Sequence, residues 1–394
     1  MTDEPARVSR VIRLPNTARE ATMKDIAKVA GVSQSTVSRV LSGAPPSVRI
    51  TEGTRQRVTE VARGLGFQPN PVARALRGAR TMVLGVIVAD ITDPFFPGVV
   101  EAVSAAARSR GYNVVLAHAR GRAREAVALK AVLETRHCDA IILLGDMRGQ
   151  PRVLREVGES RVPSVGLAGG SGHGAGITTV DVDDRHGIAA AMEYLVGLGH
   201  ERIAYVGPRP YGDFTARRTA YLELALAHHL DFHRGYDVVA ENNAGSGAAA
   251  FASLMALRVP PTAVVAGTDV IAIGALNAAY RAGIAVPGDV SVTGFDDLNL
   301  SGFLVPPLTT VRMPAAEMAN AAVSAAIELV GRAPGEIEPA SHVFLPELVV
   351  RESCAPPAGS DRTSPTRPSP EGAVGGAPND GAPGDGIKPI LEAS

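Results

Sequence analysis

Residues 22–41 read TMKDIAKVAGVSQSTVSRVL, and their spacing decides the N-terminal fold. Thr22 followed three residues later by Asp25 marks a helix start, because the hydroxyl can accept one of the amides that a helix leaves orphaned. Ile26, Val29 and Ala30 then fall on one face, and Gly31 suits the left-handed position that ends a helix. Ser33 can cap a second helix in which Val37, Val40 and Leu41 face inward. Gln34, Ser35, Ser38 and Arg39 are left outside. Two short helices joined by a Gly-containing turn, the second polar on its outer face, form a helix-turn-helix. The side chains suit DNA: Gln pairs with adenine, Arg with guanine, and Ser or Thr with bases or phosphates. The alternative on this spacing alone is a structural helical hairpin.

Working outward, Thr51–Leu65 predicts a third helix with Val58, Val61, Ala62 and Leu65 apolar. GFQPNPVARALR follows at 66–77. Asn70 is a good N-cap and Pro71 suits the first helical position, but about two turns of helix are unstable alone in water. A segment this short orders on DNA or on a partner subunit. Leu76 is then either an apolar wedge for the minor groove or an ordinary buried linker leucine.

Charge separates this end from the rest. The chain has 394 residues and a net charge of −1, yet residues 1–80 carry 14 basic against 6 acidic side chains. A cationic module on an anionic body points to a polyanion at one end; chance clustering on a solvated face is the other reading. Residues 1–21 lack periodicity and read as a flexible arm with no secretory signal. No stretch approaches the ~18–20 apolar residues of a membrane span. The expected location is the cytoplasm.

From Met82 onward apolar runs alternate with amphipathic helices: strands at 83–89, 112–118, 140–144, 164–167, 203–206, 263–266 and 290–293, and helices at 95–110, 123–136, 215–229 and 270–282. Repeated βα units predict parallel sheets covered by helices on both faces, with ligands beyond the carboxyl ends of the strands. The glycine run 169–176 reads as a flexible loop. Residues 354–394, rich in Pro, Gly, Ser and Ala, are expected to be disordered.

KDIAKVAGVSQSTVSRVLSG, then TRQRV, then GFQPNPVARALR, resemble the lactose-repressor/galactose-repressor (LacI/GalR) family over about residues 22–353. The resemblance implies an α/β fold class: a three-helix helix-turn-helix headpiece at 22–67, a hinge with its helix at 68–81, and a two-lobed periplasmic-binding-protein-like (type I) body at 82–353. It implies that Gln34, Ser35 and Arg39 read bases, that Thr22, Ser33, Thr36, Ser38 and Asn70 anchor phosphates, and that Leu76 intercalates. The loop 42–50 with Pro45 and Pro46 is longer than the pattern, which leaves the approach to flanking phosphates open.

In the body, family position implies Asp93, Arg218, Asp269 and Asp296 as polar effector contacts with Thr268 beside them, and Phe95 and Phe96 as apolar walls. Residue chemistry leaves alternatives: Asp93 and Asp269 either contact ligand or cap the helices they precede, and Arg218 either enters the cleft or is a surface charge. Ala168, Leu143 and Thr268 stand where the family often carries Asp, Asn or an amide, which weakens the case for a sugar or related metabolite and opens a smaller, less hydroxylated effector, or none, as alternatives. The implied protein is a repressor working as a homodimer on palindromic double-stranded operator DNA, its affinity set by a small-molecule effector.

Two other classes share an α/β body. An enzyme would need chemistry, but GxxxxGK[ST], complete GxGxxG, HExxH and GxSxG patterns are absent from the sequence. Asp181, Asp183 and Asp184 resemble a metal cluster, but Arg185 breaks the calcium-loop pattern and helix capping is the better reading. Cys138 and Cys354 have neither metal nor disulfide spacing. No cofactor and no metal are expected. A solute-binding protein for transport would need export, and would leave the basic arm and helix-turn-helix without a role.

Overall fold

The computed structural model describes residues 21–41, 50–67, 80–118, 137–160, 162–169, 176–210, 212–333 and 335–359. Asn70, Leu76, the predicted helix at 123–136, most of the glycine run and the tail beyond 359 lie outside the described residues.

The headpiece contains α1 (Met23–Ala30), α2 (Gln34–Leu41) and α3 (Glu52–Gly64). The predicted cap of α1 is a reciprocal box: Asp25 donates its amide to Thr22 Oγ1, and the Thr22 amide donates to Asp25 Oδ2 at 2.8 Å. Gly31 ends the helix at φ 66°. Ile26, Ala30, Val37, Val40, Val58 and Ala62 form a small core. Val29, expected inside, is 62% exposed. The buried stripe is centred among Met23, Ile26, Ala27 and Ala30, and at 3.6 residues per turn Val29 lies roughly 110° from that centre. Leu65 is likewise exposed, lying past the last turn of α3.

The first lobe of the body begins with β1 (Val83–Val88), α4 (Phe95–Arg108), β2 (Asn113–His118), β3 (Ala140–Leu144), α5 (Pro151–Glu159), β4 (Ser164–Leu167) and β5 (Thr178–Val182). The second lobe follows with α6 (Asp184–Gly197), β6 (Ile203–Gly207), α7 (Gly212–Ala227), β7 (Asp237–Val239), α8 (Ala244–Met255), β8 (Ala263–Ala266), α9 (Asp269–Ala282), β9 (Ser291–Asp296) and β10 (Thr309–Arg312). The chain then returns through α10 (Ala315–Leu329) and β11 (Ser341–Phe344) to the first lobe, and ends the second with β12 (Glu347–Val349).

Each lobe is a six-stranded sheet, ordered β11-β5-β4-β3-β1-β2 and β12-β10-β9-β8-β6-β7. All recorded pairings are parallel except β10 with β12. Parallel strands buried on both faces read as unbroken apolar runs, and β3, AIILL, is buried at every position. The chain crosses between lobes three times, at Asp183, at Met313–Pro314 and at Leu345–Pro346. Two crossings touch, since Asp183 donates its amide to the Phe344 carbonyl at 2.8 Å. One apolar cluster runs continuously from Leu84 and Val103 through Ile188 to Tyr205 and Phe295. Gly187 lets α6 pack closely on the second sheet: a Cβ there would lie 2.7 Å from the Phe295 ring.

Packed structure runs past the expected end of the body at 353. Ser353 Oγ donates to the Val292 carbonyl, and Ala355 donates its amide to Ser291 Oγ at 3.0 Å. The Pro-rich composition after 353 concealed these anchors, which are contacts to β9 distant in sequence.

Candidate functional site

The headpiece presents α2 with Gln34, Ser35 and Arg39 exposed and Ser38 half-buried. Ser33 caps it: Thr36 donates its amide to Ser33 Oγ at 3.1 Å, and the Ser33 hydroxyl lies 2.7 Å from Ser35 Oγ and 2.8 Å from Thr36 Oγ1. Thr22 Oγ1 donates to Asp25 Oδ2 at 2.6 Å. Of the hydroxyls assigned to phosphates, those of Thr22, Ser33 and Thr36 therefore lie at the N-termini of α1 and α2, where backbone amides and helix dipoles favour anions, and Ser38 lies a turn further along α2.

The second candidate site is a cavity of about 230 Å³ between the lobes. The first lobe supplies Ala89, Asp90, Asp93, Phe95, Phe96, Asp146 and Ala168, and the second Asp213, Phe214, Arg217, Asn242, Thr268 and Asp296, with Met313 at a crossing. Strand ends deliver most of them, as expected for open α/β sheets. Gly145, at φ 87°, shapes the wall, since a Cβ there would meet the Phe96 ring at 2.6 Å.

Of the expected effector residues, Asp93, Phe95, Phe96, Thr268 and Asp296 come together here. Two do not. Arg218 points away from the cavity and pairs bidentately with Asp237 on β7; its neighbour Arg217 enters instead. Consecutive helical residues point about 100° apart, so a shift of one exchanges a cleft group for an outer one. Asp269 is fully buried behind the wall, accepting from the Leu298 amide at 2.8 Å and from the hydroxyls of Ser301 and Thr310. The cap of α9 is Thr268, whose Oγ1 accepts from the Ile271 amide.

Asp269 and Asp297 together fix Asp296. Asp297 accepts from Arg312 Nε and from Arg351 Nη2, each at 2.6 Å. Between these anchors Asp296 is held at φ 112°, a strained conformation for a residue with a Cβ that persists only when its surroundings impose it.

Arg217 is the electrostatic centre. Its side chain is 3% exposed, with Nε donating to Asp184 Oδ1 at 2.7 Å, Nη1 to the Gly267 carbonyl at 2.8 Å, and Asp296 Oδ1 at 3.4 Å. Its carbon lies 3.6 Å from the centre of the Phe295 ring. Burial opposes its charge, but Asp184, Asp296 and Asp213 raise its pKa. Burial also raises the carboxyls of Asp93, Asp184 and Asp296, each partly offset by Arg217. Burial and then the neighbouring Asp184 push Asp213 up to about 7. Asp183 caps α6 through the His186 amide at 2.9 Å, and among the described residues no cluster of His, Cys, Asp or Glu is arranged to hold a metal ion.

One hydrogen bond joins the lobes across the cavity, and a second, within the second lobe, orients it. Asn242 Nδ2 donates to Asp93 Oδ2 at 2.8 Å, while Thr268 Oγ1 donates to Asn242 Oδ1, also at 2.8 Å. The Asp146–Arg148 ion pair meets the start of α7, where a Cβ on Gly212 would lie 2.7 Å from Arg148 Nη2. Sequence reasoning missed Asp90, Asp146, Asp213, Phe214, Arg217, Asn242 and Met313. Asp213 and Arg217, at the start of an amphipathic helix beyond a strand end, carried a usable signal; Asp146 and Asn242 follow strands on loops with no motif.

Comparisons with known proteins agree with this architecture. The family model "Bacterial regulatory proteins, lacI family" matches residues 22–70, and the "Periplasmic binding protein-like domain" matches residues 192–354. The regulator GalR of Salmonella typhimurium is 32% identical over 348 residues, covering 88% of this chain and 99% of that protein. A solved complex of the transcriptional regulator CelR with cellobiose is 29% identical, with a TM-score of 0.62 over 84% of this chain and 99% of that one. The lac repressor dimer bound to operator and the anti-inducer ONPF, 24% identical, shares the fold with a TM-score of 0.74 over 86% of this chain and all of that one (100%). Among the described residues no helix is long and apolar enough to cross a membrane. With a capped helix-turn-helix ahead of a two-lobed body and a match of this extent to GalR, the chain belongs to the LacI family of bacterial transcriptional regulators.

Proposed function

We propose that the protein is a homodimeric repressor whose grip on a palindromic operator is set by a small molecule bound between the lobes. The observation that carries this reading is the cavity on the line where the lobes meet, bridged by Asn242 and Asp93. A ligand there changes the lobe angle, and a two-state body can pass that change to its DNA-binding end. Relatives support the parts: one solved with operator as a dimer, another with cellobiose.

In this reading residues 22–67 are the DNA-binding domain, 68–81 the hinge and 82 to about 355 the effector and dimerisation domain, with 1–21 as arm and the remaining C-terminal residues as tail. Gln34, Ser35 and Arg39 read bases, Thr22, Ser33, Thr36, Ser38 and Asn70 hold phosphates, and Leu76 wedges the minor groove. Asp93, Phe95, Phe96, Arg217, Asn242, Thr268 and Asp296 hold the effector. The protein works in the cytoplasm on the nucleoid, by binding and without catalysis.

Selection of sites from random duplex DNA tests it. A palindrome should emerge, bound ~10³-fold or more above random DNA and with a steep salt dependence. A folded dimer that enriches no sequence, with or without metabolite extract, would overturn the proposal.

A further inference from the structure

The chain enters the body through residues 80–83, and one carboxylate holds it there. Asp139, just before β3, accepts on Oδ1 from the Thr81 amide at 2.7 Å and the Thr81 hydroxyl at 2.8 Å, and on Oδ2 from the Met82 amide at 2.9 Å. Its own amide donates to the Val83 carbonyl at 2.8 Å. Met82 sits at φ 57°, a left-handed conformation that a residue with a Cβ keeps only where its surroundings impose it. Hydrogen bonds to an ionised carboxylate are short and strong, and three of them on two consecutive residues leave the entering chain little freedom to turn on its own.

The same entry meets the far ends of two helices that start at the cavity. α4 opens with Phe95 and Phe96, which line the cavity, and the turn after it carries Gly111. Met82 packs there, its methyl 3.6 Å from where a Gly111 Cβ would lie. α10 follows Met313, another lining residue, and ends at Val330, whose carbonyl accepts from Arg80 Nη2 at 3.4 Å. At 1.5 Å per residue each helix spans about 20 Å. Arg110 ties them together, Nη1 donating to Asn320 Oδ1 at 3.1 Å and Nη2 to Ser324 Oγ at 3.0 Å. Ala106 and Ala107 of α4 and Ala319 and Ala322 of α10 are buried in one apolar cluster. Such close-packed interiors compress little and transmit displacement.

We propose that Asp139 is the positioning residue through which the body turns the hinge. A displacement begun at the cavity ends of α4 and α10 reaches residues 81 and 82 because the helix pair is rigid and the carboxylate takes up the slack in the entering chain. This rests on the cleft being the effector site and on residues 68–81 being the hinge. Coupling between two binding sites is reciprocal, so operator binding is felt at the cavity wall through the same clamp.

The test is hydrogen exchange of the full chain, free and saturated with the operator duplex that site selection yields, with random duplex as control. In the unsubstituted protein, operator should change protection at residues 89–96 and 313–318 by ~5-fold or more. Thr81→Val removes the hydroxyl and keeps its shape, and Asp139→Asn removes one acceptor. In both, that change should fall by half or more, while Thr81→Ser should retain it. Unfolding curves confirm that each variant is folded, and operator affinity should stay within ~10-fold of the unsubstituted protein. A merely structural role would lower the unfolding midpoint and leave the cavity response intact, which overturns the proposal. A Thr81→Ser response as small as that of Thr81→Val overturns it too, as does loss of operator binding in both folded variants, which would place the clamp in the DNA contact. An unsubstituted protein whose cavity does not respond to operator overturns the two-state reading beneath the proposal, and the proposal with it.

Discussion

Asn242 donates a 2.8 Å hydrogen bond to Asp93 across the cavity, so a loop before α8 in one lobe is tied to the turn before α4 in the other. Thr268 orients the amide by donating to its oxygen. The pair is both part of the cavity wall and a link between lobes. Asn242→Ala should therefore widen the distribution of lobe angles, raising the radius of gyration of the ligand-free protein in solution scattering and weakening effector binding about 10- to 150-fold, the cost of one charge-assisted hydrogen bond of ~1.5–3 kcal/mol. Unchanged scattering and affinity would show that the bond carries neither role.

The neighbouring arginines should separate cleanly. Arg217→Ala strands Asp184, which is 8% exposed as a side chain, and breaking one side of a buried pair costs about 3–5 kcal/mol. Arg218→Ala removes a partly exposed pair with Asp237, for which roughly 1 kcal/mol or less is expected. Denaturant unfolding of the two variants checks the order, and effector response should survive in Arg218→Ala.

Asp213 makes stability depend on pH. Its carboxyl titrates near 3.8 when unfolded and at about 7 in the fold, raised by burial, then by Asp184 and Asp146, and lowered by Arg217. Between those values the folded state holds the extra proton, so its stability falls as pH rises through the window and levels off above about 7. Asp213→Asn should flatten that slope. Thermal midpoints of both proteins from pH 4 to 8 measure the difference, which removes the parallel contributions of Asp93, Asp269 and Asp296. A slope of equal size in both proteins would exclude Asp213 as its source.

On the headpiece, Arg39 is exposed on α2, and Arg39→Ala should lower operator affinity by about 1–3 kcal/mol with the dimer intact. Binding assays across operators mutated one base pair at a time should show discrimination relaxed at a single position. A loss that is equal at every position would make Arg39 a phosphate contact.

The first turn of α1 offers a control on stability. Thr22→Ala breaks the reciprocal box with Asp25 and should destabilise the headpiece by ~1 kcal/mol, read as a lower melting midpoint for its helices, whereas Thr22→Ser should keep the cap.

By itself the sequence determined what short-range physics controls. The Thr22–Asp25 box, the left-handed Gly31 and the Ser33 cap lie within a few residues of their partners, and the apolar runs at 140–144, 164–167 and 263–266 became strands at those bounds. Tertiary structure decided the rest of the cleft, since the family resemblance had given Asp93, Phe95, Phe96, Thr268 and Asp296 but not Asp146, Asp213, Arg217 or Asn242. Asp146, Asp213, Arg217 and Asn242 are brought from both lobes to one cavity, and sequence separation carries no trace of that convergence. Whether Arg217 or Arg218 enters turns on about 100° of helix rotation, fixed by the packing of α7 against α6 and β6. The hydrogen-bonded shell behind the wall likewise removed Asp269 from the cavity and left Asp296 facing it, since a carboxylate caged by Ser301, Thr310 and the Leu298 amide has no open side for a ligand.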